Sequence, residues 1–542
     1  MGLSFDLVDE PWLPVLVKDG RRDLLSIRRA LVEAHEVGEL VDQSPPVTAA
    51  LHRLLLAILH RVFGPRNAHA WWAIWAGGRL DREPIDEYLD RWRPRFNLFH
   101  AARPFYQAAS LPTALANPVA ILLPERASGN NATLFDHSLD DQPQPISSAE
   151  AARRVVAMQA YALGGLLTRE KVGDRSADGA PLVKLALIQV RGRDLFQTLC
   201  LNLHRYEPEL EIPFASVGAD LPAWEVDHEP SPAARIPKGY LDLLTWQSRR
   251  IRLLPDEGSS DSTTVSRAVV TKGHGFPKAF QLKGRETMAG FRMVKKPTGG
   301  QEPWQPIGFR QDRAIWRDST ALLARTSEAY ARAPILDWLA DLSLEGTLPP
   351  PSLDVLGMVS DRASVLLWRH ERLPLPLRYL QDQKLMESLS LALDTTEKAA
   401  HALRESLLAL AATIVPAPSQ GLASPSPESR KSRDVFVDRL DAGTWYWSAV
   451  EAAFRRHMVE LEADRSEDSE LGVRYGLEVL PKWRRILRRA ASAAFEEAVR
   501  GLDTTARTLH GVVLAERQLA WRLDHSLKDL KLKEVPADAH RA

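Results

Sequence analysis

A chain of 542 residues, 45% apolar and 26% charged, has the length for two or more domains with large cores and the composition of an ordinary globular protein. Its 70 basic and 70 acidic residues cancel, so no global positive field draws it to nucleic acid; such binding needs local patches or a partner that supplies the charge. The single cysteine, Cys200 in LFQTLCLNL, excludes a disulfide framework and a cysteine zinc site and reads as a small core residue.

The opening MGLSFDLVDEPW has no basic flank and no long apolar segment, so it does not read as a signal peptide, and Asp6 breaks the myristoylation pattern. No window reaches the roughly 18 apolar residues of a membrane span, and the expected location is cytoplasmic. Arginine outnumbers lysine by about three to one, through genomic base composition or through a preference for planar, bidentate phosphate recognition.

Up to Pro374 the chain alternates helical stretches with short β-branched runs and many Gly/Pro breaks, which predicts a mixed α/β domain over 1–374. Candidate helices are Val47–Phe63, Ile85–Arg93 and Ala149–Leu167; candidate strands are Pro181–Val190 and Arg250–Leu253. The segment Leu353–His370, LDVLGMVSDRASVLLWRH, stands out. There Gly357, Ser360, Asp361, Arg362 and Ala363 interrupt an apolar run, and an aromatic, basic strip follows. A loop tipped by Asp-Arg-Ala and held out from a scaffold suits insertion into a partner; an ordinary surface turn is the alternative.

From 375 to 542 the pattern is almost wholly helical. Leu385, Leu389, Leu393, Thr396, Ala400, Leu403, Leu407 and Leu410 recur at three- and four-residue steps. So do Trp447, Val450, Phe454, Met458 and Leu461, then Leu480, Trp483, Leu487, Ala490 and Ala494, with a last helix over about 505–530. The prediction is an α+β protein whose second domain is a four-helix bundle, with a disordered linker at about 416–433. A second flexible stretch is expected at 255–264, and no repeat of 20–50 residues is present.

The sequence holds no GxxxxGK[ST], GxSxG, HExxH or strand-borne GxGxxG motif. His100, His137, His274 and His370 are each more readily read as hydrogen-bonded structural residues than as catalysts. Asn130, Asn131, Thr133, Leu134, Phe135, Asp136 and His137 combine amides, a hydroxyl, an aromatic ring and an imidazole, which single-stranded RNA recognition requires; an Asn-rich turn before a buried Leu-Phe pair is equally consistent. Gly164-Gly165 reads as a helix C-cap or as a place where backbone comes close to a ligand. Lys283 in FQLKGRE is a solvated lysine or a contact to phosphate or a base edge. Lys482, Arg484, Arg485, Arg488 and Arg489 make a strip without an intervening carboxylate, either a solvated helix face or a binding face for nucleic-acid backbone.

Taken in order, LVDEPWLPV, FNLFHAARPFYQ (Phe96–Gln107), VRGRDLFQTLCLNL, TWQSRRIRL and the WRHE strip after the opening loop resemble segments of the CasA family. That family is the large subunit of the type I-E CRISPR surveillance complex, Cascade. The resemblance covers most of the chain and implies a non-enzymatic subunit without cofactor or metal. Its implied partners are CRISPR guide RNA, double-stranded target DNA, the Cascade backbone and small subunits, and a recruited helicase–nuclease, with no membrane. It implies reading of a protospacer-adjacent motif from the minor groove, whose degenerate pattern permits several motifs. It places Gly164 and Gly165 at the groove-approaching backbone, Lys283 at the groove-contacting lysine, and Asn130–His137 at the guide's 5′ handle, with Leu134-Phe135 as the apolar contact. Asp361, Arg362 and Ala363 fall on the wedge that opens the duplex. Arg362 departs from the family's glutamine, though a guanidinium still stacks beneath a base pair. The rival expectations are a hydrolase using His100 or His137, and a structural assembly subunit whose bundle contacts only protein.

Overall fold

The computed structural model describes residues 3–125, 144–167, 176–256, 263–294, 304–361, 364–415, 427–468 and 472–530. It divides into two compact units, Met1–Leu380 and Gln381–Ala542. The division comes later than the expected one after 374, because the short 3-10 turn Leu377–Leu380 packs back on the helix Pro334–Glu345. The two units together are the α+β arrangement, and every strand pairing in the described sheets is antiparallel.

In the first unit, strands β1 (Leu13–Val17), β2 (Arg22–Leu25) and β3 (Val37–Leu40) form a small sheet. Helix α1 (Pro45–Val62) is buried continuously from Pro46 to His60, the signature of a central core helix. It accepts polar residues only with partners: His52 and His60 each bond a carbonyl one turn back, and Arg53 pairs with Glu286. Helix α2 (Arg82–Trp92) is capped by Asp81 and buries only Ile85 and Leu89.

Helix α3 (Ser148–Tyr161) is capped by Ser147 and packs on α1. It ends at Tyr161, six residues before the expected Leu167, because the chain turns into the paired strands β4 (Gly165–Leu166) and β5 (Ser176–Ala177). The glycines are therefore not a helix cap. Strand β6 is Leu187–Arg191, shorter than the expected 181–190 because 181–186 is a turn; β7 is Arg249–Pro255 and pairs with β8 (Thr264–Lys272). Strands β9 (Phe291–Met293) and β10 (Trp304–Pro306) pair further on. The segment expected to be a turn around Gly357 is instead strand: β11 (Ser352–Asp361) and β12 (Ser364–Pro374) form a long hairpin with Gly357 in mid-strand. A Cβ at Gly357 would lie 2.7 Å from the Leu185 carbonyl oxygen and 3.2 Å from the Phe309 ring, so close packing explains the glycine.

The second unit is built on α4 (Gln383–Ile414), capped by Asp382 and contacted by each of α5 (Pro427–Arg439), α6 (Ala442–Ala463), α7 (Val479–Val499) and α8 (Ala506–Ser526). Of the predicted α4 stripe only Ala400 is merely half-buried. Among the described residues this unit has five helices rather than the expected four. The additional one, α5, overlaps the expected linker: despite its polar composition it buries Val437 and is clamped by Arg404, which bonds Asp434 at 2.9 Å and Asp438 at 2.7 Å. On α6 Tyr446, not Trp447, enters the core, donating its hydroxyl hydrogen to the Thr396 carbonyl at 2.9 Å. A short hairpin, β13 (Arg465–Asp468) and β14 (Gly472–Tyr475), joins α6 to α7. No described helix is long and apolar enough to cross a membrane.

Candidate nucleic-acid interface

The long hairpin is buried along most of β11 and grows exposed toward Asp361. Its third strand, β6, pairs β11 only from Ser352 to Leu356, so beyond Leu356 the hairpin continues as a two-stranded ribbon. A bulge after Val359 shifts the register, and Leu366, half-exposed at 49%, stands beside it. The ribbon ends in Asp361 paired with Ser364; Arg362 and Ala363 lie outside the described residues.

The base of the hairpin is braced by the WRHE strip. Arg369 donates to the carbonyls of Arg313 (3.1 Å) and Gln311 (3.0 Å) and to Glu371 (3.0 Å), while Glu371 accepts from the Ile315 amide at 2.9 Å. Asp354 accepts from Arg372 at 2.6 Å and faces His370 Nε2 at 3.3 Å. These contacts brace the hairpin from its base up to Gly357 and Arg369.

At the glycine turn, β4 and β5 pair Gly165 with Ala177 and Leu166 with Ser176. A Cβ on Gly164 would sit 2.9 Å from the Gly179 amide nitrogen, so only glycine lets the two arms come this close. Leu166 beside it is 71% exposed.

Lys283 is half-buried, and its Nζ lies 3.8 Å from the centre of the Trp304 ring at the start of β10. That contact orients the side chain while leaving ammonium hydrogens available. Gly284 follows with φ +75°, a left-handed turn that favours glycine. Two residues on, Glu286 is fully buried, accepting from Arg53 Nη1 at 2.8 Å and from the Met288 amide at 3.1 Å. Tyr240 and Thr287 share a hydroxyl hydrogen bond of 2.9 Å. The lysine loop is thus pinned to the central helix α1.

The basic strip on α7 does not form one face. Arg484 and Arg488 donate to Asp524 on α8 at 3.0 and 2.6 Å, and Lys482 lies 3.9 Å from Glu460 on α6. Arg485 and Arg489 are exposed and have no carboxylate within ion-pair distance among the described residues. They line an open groove of about 970 Å³ between α6 and α7 with Arg456, His457 and Trp483. His457 stacks on Trp483 at 4.5 Å; burial holds its imidazole down at about 3, so it is neutral.

Two of the candidate histidines make local structural contacts. His100 Nδ1 accepts from the amides of Ala102 (3.3 Å) and Arg103 (3.0 Å), and His274 packs on Trp246 with its pKa lowered to about 4 by burial. Cys200 is buried, which pushes its thiol up. Among the described residues no group of three or more His, Cys, Asp or Glu side chains is placed to hold a metal. Asn130, Asn131, Leu134, Phe135, Asp136 and His137, with His137 the other histidine of the hydrolase reading, lie outside the described residues. Sequence reasoning missed Arg53, Glu286, Trp304 and Arg456; none left a local signal, because each meets its partner only through tertiary packing.

A braced hairpin, a glycine turn and a lysine-bearing loop lie in the first unit, and a helical bundle forms the second; this arrangement is that of a two-part α+β protein. The family model of CRISPR-associated protein Cse1 matches residues 6–494, and the chain belongs to that family. It is 36% identical over 532 residues to CRISPR-associated protein CasA/Cse1 of Thermus thermophilus, covering 95% of this chain and 96% of that protein. The crystal structure of Thermus thermophilus CasA matches with a TM-score of 0.79 at 32% identity, covering 96% of this chain and all of that one. A chain in a structure of a CRISPR RNA-guided surveillance complex matches with a TM-score of 0.74 at 24% identity, covering 96% of this chain and all of that one; at this identity the likeness is one of fold.

Proposed function

We propose that this chain is the non-catalytic recognition subunit of an RNA-guided surveillance complex. It reads a protospacer-adjacent motif in double-stranded DNA, promotes opening of the duplex beside it and recruits a helicase–nuclease. The observation that carries this reading is the two-stranded ribbon that runs past its third strand to Asp361 and Ser364, braced at its base by Arg369, Glu371, Arg372 and Asp354. A ribbon of this kind, joined through Arg362 and Ala363, suits a wedge in which those two residues act at the first base pairs. Splitting each base-pair step costs about 1.4 kcal/mol, which contacts to motif and backbone offset.

In this reading Gly164 and Gly165 bring backbone to the minor groove and Lys283, steered by Trp304, supplies its cation there. The segment Asn130–His137 takes the guide's 5′ handle, and Arg485 and Arg489 contact DNA phosphates. The partners are guide RNA, target duplex, and the backbone and small subunits of the complex. The setting is cytoplasmic.

The deciding experiment is duplex binding by the reconstituted guide-RNA complex, with and without this chain, across a randomised flanking motif. Motif-dependent binding that needs the chain and fails with Lys283→Ala supports the reading; binding indifferent to motif leaves a scaffold. Arg362→Ala is expected to reduce strand opening, followed by fluorescence of a base analogue beside the motif, more than motif binding. Equal loss of both on matched duplexes overturns the wedge.

A further inference from the structure

Arg249, the first residue of β7, is almost wholly buried, yet its guanidinium meets no carboxylate among the described residues. Its two terminal nitrogens donate to main-chain carbonyls instead, while Nε is buried without a partner among the described residues. Nη1 donates to Ser248 at 2.8 Å; Nη2 donates to Leu163 at 2.9 Å, Asp178 at 2.8 Å and Ala162 at 3.4 Å. Leu163 and Asp178 immediately precede Gly164 and Gly179, the two residues whose backbones meet at the glycine turn. One guanidinium nitrogen therefore ties together both arms of the β4–β5 hairpin.

The residue is itself held from behind. Its amide donates to Gln159 Oε1 at 2.9 Å and its carbonyl accepts from Gln159 Nε2 at 3.0 Å, which locks the start of β7 to the last turn of α3. Ser248 adds a hydroxyl bond to the Gln159 carbonyl at 2.8 Å. A buried charge with no direct ion pair, and only the Asp178 carboxylate acting on it at longer range, carries a desolvation cost that an apolar side chain would avoid. Burial does lower its pKa, to about 10, and it stays charged at neutral pH. The fork holds Nη1 on the Ser248 carbonyl while Nη2 reaches both arms, a division of donors that a single ammonium does not reproduce in the same geometry.

We propose that Arg249 is a positioning residue for motif reading: by cross-linking the carbonyls of Leu163 and Asp178 it fixes the presentation of Gly164-Gly165 to the DNA groove. The inference rests on the assignment of those glycines as a motif contact.

The test uses the full-length chain in the assembled guide-RNA complex, a duplex library randomised in the flanking motif, and the ratio of best to median binding. Arg249→Lys keeps the charge and loses the fork; Arg249→Met loses both; Gly164→Ala tests the underlying assignment. Arg249→Lys is expected to lower the ratio at least tenfold with complex assembly and salt dependence unchanged. Amide hydrogen exchange at residues 164–167 and 176–179 should accelerate in the same variant while α1 stays protected. A ratio within twofold of the parent overturns the inference, as does global unfolding of both Arg249 variants, which would make the residue a core anchor only. If Gly164→Ala leaves the ratio unchanged, the glycine assignment fails instead, and that outcome is separable from the first.

Discussion

The two units use arginine in opposite ways. In the first, Arg53 and Arg249 are buried and spend their hydrogen bonds on a fully buried carboxylate and on backbone carbonyls, pinning the lysine loop and the glycine turn. In the second, Arg484 and Arg488 bridge to an exposed aspartate while Arg485 and Arg489 face an open groove with no ion pair among the described residues. Burial turns a cation into an organiser of backbone, and exposure leaves it free to meet a phosphate. The two settings predict different effects on mutation: loss of local structure where the arginine is buried, and loss of salt-dependent binding where it is exposed.

Acid should separate the units most strongly. Burial depresses the imidazoles of His52, His204 and His274 to about 4 and that of His60 well below its ordinary value, all in the first unit, against His457 at about 3 in the second. Between the ordinary value near 6.5 and these lowered values the unfolded chain binds protons that the folded chain refuses, so stability is lost as pH falls. Each such histidine contributes up to about 1.4 kcal/mol per pH unit. Calorimetry from pH 7 to pH 5 should show the first unit's transition falling several times faster than the second's; parallel transitions would break the contrast.

Next in size is the buried pair. Glu286→Gln leaves the Arg53 guanidinium without its counter-charge and should cost about 3–5 kcal/mol in denaturant unfolding of the first unit. A loss under about 1 kcal/mol would mean that α1 does not depend on this ion pair to hold the lysine loop.

The groove arginines should act on binding rather than folding. Replacing Arg485 and Arg489 by alanine should reduce the slope of log affinity against log salt for duplex DNA by about 1.8, whatever the motif. An unaltered slope returns the groove to a solvated face. The smallest effect belongs to Arg484 and Arg488: because both are exposed pairs with one aspartate, their double alanine variant should change stability by at most about 1 kcal/mol and the salt slope by less than the groove pair does.

Much of the architecture was legible in local pattern. The three- and four-residue spacing of Leu385, Leu389, Leu403 and Leu407 read α4 correctly, because a long amphipathic helix shows its buried face in its own sequence. The segments resembling the family are largely core: Phe96 and Phe105 stack at 5.3 Å in the FNLFHAARPFYQ stretch, and Gln107 bonds the Leu98 carbonyl at 2.7 Å and the Leu253 amide at 2.8 Å. Arg249 was half legible, since it shares alternation with buried Ile251 and Leu253 and so had to point inward. Helix α5 was not, because ion pairs to Arg404 stabilise a segment whose composition reads as linker.

By itself the sequence determined the division into a mixed unit and a helical unit, the lack of common enzyme motifs and the membership suggested by an ordered set of segments. These depend on periodicity and residue type over a few turns. Tertiary structure alone decided that Glu286 answers Arg53 across 233 residues, that Asp178 answers Arg249 across 71, and that the strip on α7 splits between a neighbouring aspartate and an open groove. Such partners are chosen by how distant segments pack, and a hydrogen bond of 2.8 Å between residues far apart in the chain leaves no trace in the local spacing of either.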